Sequence, residues 1–315
     1  MQQCFKHVSI LCIQAEVAQP GKAVASRPSR ESHWCTAPRE FKSPPRRQLR
    51  IRIEVMRKNR YLNDYTLAIG KAVKYDISRF YRKGFPEIVF SSGKSVRQLT
   101  EICIRVVESG EPVIVSKIGK SRSAAVTRAV LKRIPPGIKP KYWGDAEILS
   151  IVPLKWKSSF SNLPLKAAIV TGGSSDIRVA AETEAILEIL QCKHDSFFDC
   201  GIAGLHRTVE VAAELQRGDY AVAIVFAGME GALASVITSL VDIPVIGVPV
   251  STGYGFGGSG IAAITSMLQS CIPGLTVVNI DNGVGAAASA VAIMNLFAGR
   301  PKRRPGSDIN ETAQA

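Results

Sequence analysis

Apolar and polar positions along this chain fall into blocks of changing period, and the cleanest blocks lie in its carboxyl-terminal half. From Lys166 onward, short continuous apolar runs alternate with longer amphipathic ones. Ala167–Thr171, Ser196–Cys200, Tyr220–Phe226, Pro244–Val250 and Leu275–Ile280 read as five strands. Val179–Leu190, Leu205–Leu215, Glu230–Leu240, Gly260–Ser270 and Ala286–Phe297 read as the five helices between and after them. Strands that are apolar at every position are covered on both faces, as in parallel sheets. Alternating strands and helices with right-handed crossovers then give a doubly wound, flavodoxin-like α/β domain with a five-stranded parallel sheet over residues 166–298.

Residues 58–155 read as a smaller α/β domain. Arg60–Arg82 reads as a helix ending before Gly84 and Pro86, and Glu87–Phe90 as a short strand. Val96–Glu108 has helical spacing of Leu99, Ile102, Ile104 and Val107, with Gly110 as a stop. Pro112–Ser116 reads as a strand, Ser121–Leu131 as a helix and Ala146–Val152 as a strand. Residues 156–165 read as a linker, and 299–315 as a disordered basic tail. Residues 1–57 show little periodicity. They read either as a mitochondrial or plastid transit peptide, basic and Ser-containing, or as a plain disordered extension richer in Glu than such peptides.

Charge narrows the range of partners. Of the formal +14, residues 1–60 carry +9 (13 Lys/Arg against 4 Asp/Glu) and residues 300–315 carry +2, which leaves +3 for everything between. A core so near neutrality lacks the basic stripe that phosphate-backbone binding requires, so nucleic acid is not expected as a partner. No run approaches 18 apolar residues, so no membrane span is expected either. The seven cysteines include no C-x-x-C pair, which argues against a disulfide framework and a zinc site. They read as reduced thiols of an intracellular compartment, cytoplasmic unless the amino-terminal extension is a targeting signal.

In a doubly wound sheet the ligand sits beyond the carboxyl ends of the strands. The segments 171–176, 201–207, 227–232, 251–258 and 281–285 follow the five strands and hold nearly all the Gly, Ser, Asp, Glu and His able to do chemistry. Thr171-Gly172-Gly173-Ser174-Ser175-Asp176 runs from strand into helix. Its glycines admit a close backbone approach, and the free N–H groups of a helix start suit a phosphate. The same residues also read as a capped helix start with Asp176 as N-cap. The run from Gly253 through Tyr254 and Gly255 to Gly258 matches G-x-G-x-x-G, with Asp281 at the end of the next strand. It follows the fourth strand rather than the first, so it reads equally as a dinucleotide fingerprint or a mobile flap. His206 suits general acid–base work and Arg207 suits a phosphate or carboxylate, although a surface His is the plainer reading. Glu230, preceded by Gly228 and Met229, stands at a helix start, where a carboxylate is favoured for stability alone. Cys271, just before Pro273, reads on its own as a buried core thiol.

Taken together, these segments resemble a known family. Gly173–Asp176, His206-Arg207, Ala227-Gly-Met-Glu-Gly-Ala-Leu233 and Pro244–Pro249 are similar to the carboxylase/mutase (PurE) family of purine synthesis, which acts on aminoimidazole ribonucleotide. A related family, the LarB-like pyridinium-3,5-biscarboxylic acid mononucleotide synthases of nickel-pincer cofactor assembly, is closer. The shared pieces are Gly201–Arg207, Gly253–Gly255, Met267–Cys271, Thr276–Gly283, Asp76–Arg79 and Arg82–Glu87. The resemblance implies carboxylation of the pyridinium ring of nicotinic acid adenine dinucleotide at C5 with release of AMP. Carbon dioxide or bicarbonate would be the co-substrate, and Mg2+ could accompany the diphosphate. The alternative is aminoimidazole ribonucleotide carboxylation in purine synthesis.

The resemblance also implies roles. Cys271 would be the nucleophile that makes the electron-poor ring a carbon nucleophile, and Glu230 would take the C5 proton. Thr171–Asp176 would cradle phosphate and ribose, with Asp176 on the ribose hydroxyls. His206 and Arg207 would orient substrate or assist proton and phosphate chemistry, while Gly228, Met229 and Gly253–Gly255 would bind the substrate or its phosphate. A homo-oligomer, an octamer with sites near subunit boundaries, is implied too. The chain departs from the family in having Ala234 where a Pro is usual.

Overall fold

A computed structural model of the protein describes residues 66–69, 73–77, 79–134 and 136–298. The extension 1–57 and the tail 299–315 lie outside the described residues. Thr66–Ile69 (β1) and Val73–Asp76 (β2) pair antiparallel, with Ile69 opposite Val73, and the short helix Arg79–Lys83 (α1) follows. This corrects the expected Arg60–Arg82 helix over its described part. The apolar positions Leu67, Ile69, Val73 and Tyr75 recur at every second residue within each strand, the period of a strand, and Ile69 and Tyr75 are buried.

Ile88–Phe90 (β3), Val113–Ser116 (β4), Ile138–Trp143 (β5) and Ile148–Pro153 (β6) form a mixed sheet in the order β3-β4-β6-β5. Strand β5 was not expected, because Lys139, Pro140 and Lys141 break its apolar pattern. It sits at the sheet edge, where a missing N–H is tolerated. Val96–Glu108 (α2) starts at a capping box: Gln98 N donates to Ser95 Oγ at 3.2 Å and Ser95 N donates to Gln98 Oε1 at 2.8 Å. Helices α2 and Lys120–Leu131 (α3) cover one face of this sheet, where Leu99, Ile102, Val106 and Val126 bury against Val113, Val115, Leu149 and Ile151.

The larger sheet holds Lys166–Thr171 (β7), His194–Phe197 (β8), Tyr220–Ala227 (β9), Val245–Pro249 (β10) and Leu275–Val277 (β11). Its order is β11-β10-β9-β7-β8 and every pairing is parallel, as expected. Strand β8 lies two residues or more before the expected Ser196–Cys200. It is an edge strand, half-buried throughout, so the apolar run Phe197-Phe198 overstated its extent. Side chains alternate between two layers. Ala167, Ile169, Ile224 and Ile246 pack under Ile177–Ile189 (α4) and Gly283–Met294 (α8). Ala168, Val170 and Val225 pack under Leu205–Arg217 (α5), Ala232–Leu240 (α6) and Met267 of Ile261–Leu268 (α7).

The two sheets share a core through α4. Ile114 and Ile148 of the smaller sheet belong to the same buried cluster as Ile186 and Leu187. Phe160, from the segment between the sheets, is fully buried in that cluster, a burial that contributes about 1.5–3 kcal/mol for such a side chain. This shared core fixes the loops of the smaller sheet against the carboxyl-terminal domain.

Candidate active site

The strand order determines where a ligand can enter. The chain leaves β7 for β8 on one side and returns to β9 on the other, so the loops after β7 and β9 part and leave a crevice at the carboxyl ends. A cavity of about 560 Å3 lies there, within the size range of small-molecule sites. It is lined by Gly172, Gly173, Ser175 and Asp176 after β7, Gly201–Ala203 after β8, Ala227–Glu230 after β9, and Thr252 and Tyr254 after β10.

Two close backbone approaches and one left-handed turn shape it. Gly172 N donates to Phe226 O at 2.9 Å, tying the first loop to β9. A Cβ on Gly201 would stand 2.5 Å from Gly172 O, so only glycine lets these two loops touch. Met229 and Gly231 both have positive φ, 47° and 68°, and this left-handed stretch carries Glu230 in the turn ahead of α6 rather than in the helix.

Asp176 forms the floor of the cavity. It is 3% exposed, and Oδ2 accepts from Gly173 N at 2.9 Å while Oδ1 accepts from Thr252 Oγ1 at 3.0 Å. Burial pushes its carboxyl above the usual carboxylate range, and these hydrogen bonds pull back in the other direction. Asp176 therefore presents a fixed, buried acceptor on which hydroxyl groups of a ligand can converge. The free N–H groups at the start of the 3-10 turn Ser174–Asp176 lie next to it and suit a phosphate.

The other expected residues are distributed differently. Thr171 is fully buried and does not line the cavity; its Oγ1 accepts from Asp199 N and its carbonyl from Cys200 N. It holds the β8–α5 loop in place. Ser174 is exposed beside Ser175. Gly253 packs against the Met229 backbone, where a Cβ would meet Met229 N at 3.2 Å, and Gly255 has φ 77° in open space. Tyr254, 80% exposed, overhangs the rim.

His206 is exposed on the first turn of α5. Arg207 Nη1 donates to both Asp199 O and Asp199 Oδ2 at 2.7 Å, so this Arg clamps a left-handed turn as well as facing outward. Cys271 is exposed, which corrects its reading as a core thiol. It does not line the cavity; its neighbour Ser270 bonds Ser235 at 2.8 Å, which places it beside the first turn of α6. The other described cysteines, Cys103, Cys192 and Cys200, are buried, and burial pushes the Cys103 and Cys192 thiols up to about 12.

Thr252 was not singled out in the sequence. Its signal is only positional, as the second residue of the segment that follows β10.

Comparison with known proteins agrees with this architecture. A family model described as AIR carboxylase matches residues 166–304, and one described as LarB/PurE-like N-terminal domain matches residues 67–151. An uncharacterized protein of Methanocaldococcus jannaschii is 39% identical over 249 residues, covering 78% of this chain and 93% of that protein. The N5-carboxyaminoimidazole ribonucleotide mutase of Pyrococcus horikoshii is 34% identical over 140 residues, 43% of this chain and 75% of that enzyme. The enzyme of the same name from Escherichia coli K12 is 28% identical over 140 residues, 43% of this chain and 80% of its own.

Proposed function

The chain belongs to the AIR carboxylase family, and on that premise we propose that it carboxylates the pyridinium ring of nicotinic acid adenine dinucleotide at C5 and hydrolyses the phosphoanhydride. The observation that carries this reading is the joining of an AIR carboxylase domain to a LarB/PurE-like N-terminal domain in one chain. The exposed thiol of Cys271 supports it.

The chemistry follows from the electron demand of the substrate. A pyridinium ring does not attack carbon dioxide. Addition of the Cys271 thiolate forms a C–S bond and moves an electron pair onto the ring nitrogen, which leaves C5 enamine-like and nucleophilic. C5 then bonds carbon dioxide, supplied as such or from bicarbonate. Glu230 takes the C5 proton, the C–S bond breaks, and the thiolate leaves as the ring regains aromaticity. Water cleaves the phosphoanhydride to give AMP and the dicarboxylated mononucleotide. Asp176 and the N–H groups of Ser174 and Ser175 hold ribose and phosphate, while His206 and Arg207 orient the substrate or assist proton and phosphate chemistry. Any Mg2+ would arrive with the diphosphate, as is usual for this ion.

Cys271 lies outside the cavity of its own chain, whereas Met229, Tyr254, Phe256, Ile261 and Leu268 expose apolar surface. A homo-oligomer with sites near subunit boundaries would cover such surface. The thiol also calls for a reducing compartment.

Aminoimidazole ribonucleotide carboxylation is the second reading. It is favoured by the 34% identity to a mutase of that pathway and by the placement of Cys271 away from the cavity. Its electron-rich ring needs no thiol. Purified protein given nicotinic acid adenine dinucleotide, bicarbonate and magnesium decides between them. Release of AMP and a dicarboxylated mononucleotide, abolished in Cys271→Ala, supports the first reading. Rescue of a purine auxotroph that Cys271→Ala retains supports the second and sinks the first.

A further inference from the structure

Arg207 is held from one edge only. Both Nη1 hydrogens go to Asp199, one to its backbone carbonyl and one to Oδ2, each at 2.7 Å. Asp199 turns both oxygens toward one nitrogen because its backbone is left-handed, with φ 57°. Such a conformation outside glycine persists where the surrounding structure holds it. Thr171 does so here: Asp199 N donates to Thr171 Oγ1 at 3.1 Å, and Cys200 N to the Thr171 carbonyl at 2.8 Å. Thr171 also ends β7, and the turn Ser174–Asp176, whose N–H groups suit a phosphate, follows in the same loop. The anchor of Arg207 and the phosphate loop therefore share one fixed residue.

The opposite edge of the guanidinium, Nε and Nη2, makes no hydrogen bond among the described residues. That edge carries the parallel donors that grip a phosphate in bidentate fashion. It lies over Gly204, where a Cβ would stand 2.8 Å from Nε, 3.1 Å from Nη2 and 3.2 Å from His206 Cε1. Gly204 has φ −123°, so space and not backbone conformation calls for glycine here. It directly follows Ala203, which lines the cavity, so the open edge stands at the cavity rim. The Asp199 and Arg207 side chains are 61% and 37% exposed, and ion pairs this exposed contribute little to stability. The geometric consequence is larger: a long, flexible side chain is fixed with one edge occupied and the other open.

We propose that Asp199 and Gly204 are positioning residues for Arg207, which together present its Nε–Nη2 edge to the phosphate of a ribonucleotide. Asp199 anchors the far side of the guanidinium, and Gly204 keeps clear the space that the near side needs. Neither has to touch the ligand. A fork fixed before the ligand arrives lowers the ordering cost of binding. The inference rests on reading Arg207 as a phosphate ligand and holds whichever ring is carboxylated.

The test measures binding to the full chain by titration calorimetry. The probes are nicotinic acid mononucleotide and aminoimidazole ribonucleotide, each beside its nucleoside, which lacks the phosphate. Asp199→Gly keeps the left-handed backbone and the carbonyl but removes Oδ2. It is expected to bind the mononucleotide about tenfold more weakly and the nucleoside unchanged. Asp199→Asn tolerates the same backbone and keeps an oxygen acceptor, so it should stay within about threefold of wild type. Gly204→Ala places its Cβ nearest the mobile ends of Arg207 and His206. It should therefore melt with the wild type and lose about tenfold for the mononucleotide. In an Arg207→Lys background, which lacks the fork, Asp199→Gly and Gly204→Ala should cause no further loss. Unchanged or tighter mononucleotide binding in Asp199→Gly overturns the proposal, as does an equal loss for the nucleoside or a loss that persists in the Arg207→Lys background. So does a wild type that binds neither mononucleotide more tightly than its nucleoside. AMP release from nicotinic acid adenine dinucleotide is scored separately, so the positioning can fail while the activity stands, and the reverse.

Discussion

Thr252 Oγ1 donates to Asp176 Oδ1 at 3.0 Å across 76 positions of sequence. The bond joins the loop after β7 to the loop after β10, strands that are not neighbours in the sheet, and so closes one side of the cavity. It also holds the Asp176 carboxylate in the one orientation in which Oδ2 reaches Gly173 N. A binding group buried this far is fixed before a ligand arrives, which reduces the ordering cost of binding.

That fixation has a thermodynamic sign. Burial raises the Asp176 pKa above its unfolded value, so the folded state binds the proton more tightly than the unfolded one. Its contribution to stability is fully present below the unfolded pKa and is lost as pH rises through the folded pKa. At neutral pH the ionised group therefore works against folding. Asp176→Asn, whose carbonyl can accept from Gly173 N and whose amide can donate to Thr252, is expected to equal or exceed the wild-type melting temperature at pH 7. It is expected to bind ribonucleotides about tenfold more weakly through loss of a charged acceptor. A melting temperature well below wild type at pH 7 would contradict this account.

Two glycines of the same cavity make a matched pair. A Cβ at Gly201 meets the Gly172 carbonyl at 2.5 Å, whereas a Cβ at Gly173 finds nothing nearer than Ser175 Oγ at 3.6 Å. Both have negative φ, so space rather than backbone strain separates them. Gly201→Ala is expected to destabilise by about 1–3 kcal/mol as an overpacked contact, and Gly173→Ala by roughly 0.5 kcal/mol or less. Urea melts of the two variants check the contrast.

Much of this arrangement is legible in the sequence. The five apolar runs and the helices between them specify the parallel sheet, and the rule that ligands bind beyond carboxyl ends selects the loops that line the cavity. What is not legible depends on tertiary pairing. Thr252 is an ordinary hydroxyl until the sheet order brings it to Asp176. The β1–β2 hairpin is too short for its two-residue period to outweigh the helical reading of the residues around it. Strand β5, with Lys139, Pro140 and Lys141, has a strand pattern only as the edge partner of β6. A small cleft between the domains is also invisible, because its Lys117 and Arg178 gain their shared environment from the packing of the smaller sheet on α4.

Thiol accessibility gives a direct chemical readout. Cys103 and Cys192 are buried with their thiols pushed up to about 12, and burial raises Cys200 as well, against the opposing pull of Arg207. Cys271 is exposed. Only the thiolate reacts with iodoacetamide, so among these four, native protein should be modified at Cys271 first. Peptide mapping by mass spectrometry after brief labelling should find Cys103 and Cys192 unmodified until denaturant is added. Saturating nicotinic acid adenine dinucleotide should slow the labelling of Cys271 under the proposed chemistry, and unchanged labelling would remove it from the site.

The ion pair between Lys117 and Glu182 supplies the last test, because it spans the two domains. Glu182 is buried, and burial raises its pKa first, with Lys117 pulling it down and Asp281 and Glu147 pushing it up. Lys117→Met keeps the stem but removes the charge, leaving a buried carboxylate beside two like charges. Loss of one partner of a fully buried pair costs about 3–5 kcal/mol. The Lys117 side chain is 47% exposed, so the loss should be nearer 1–2 kcal/mol after solvent screening. The Glu182 pKa should rise further in this variant, and its stability should then recover as pH falls and the carboxyl takes up a proton. Lys117→Met is therefore expected to lose more stability at pH 7 than at pH 5, and Lys117→Met/Glu182→Gln to lose this pH dependence. Parallel melting curves for Lys117→Met and wild type across that range would show that Glu182 does not depend on Lys117.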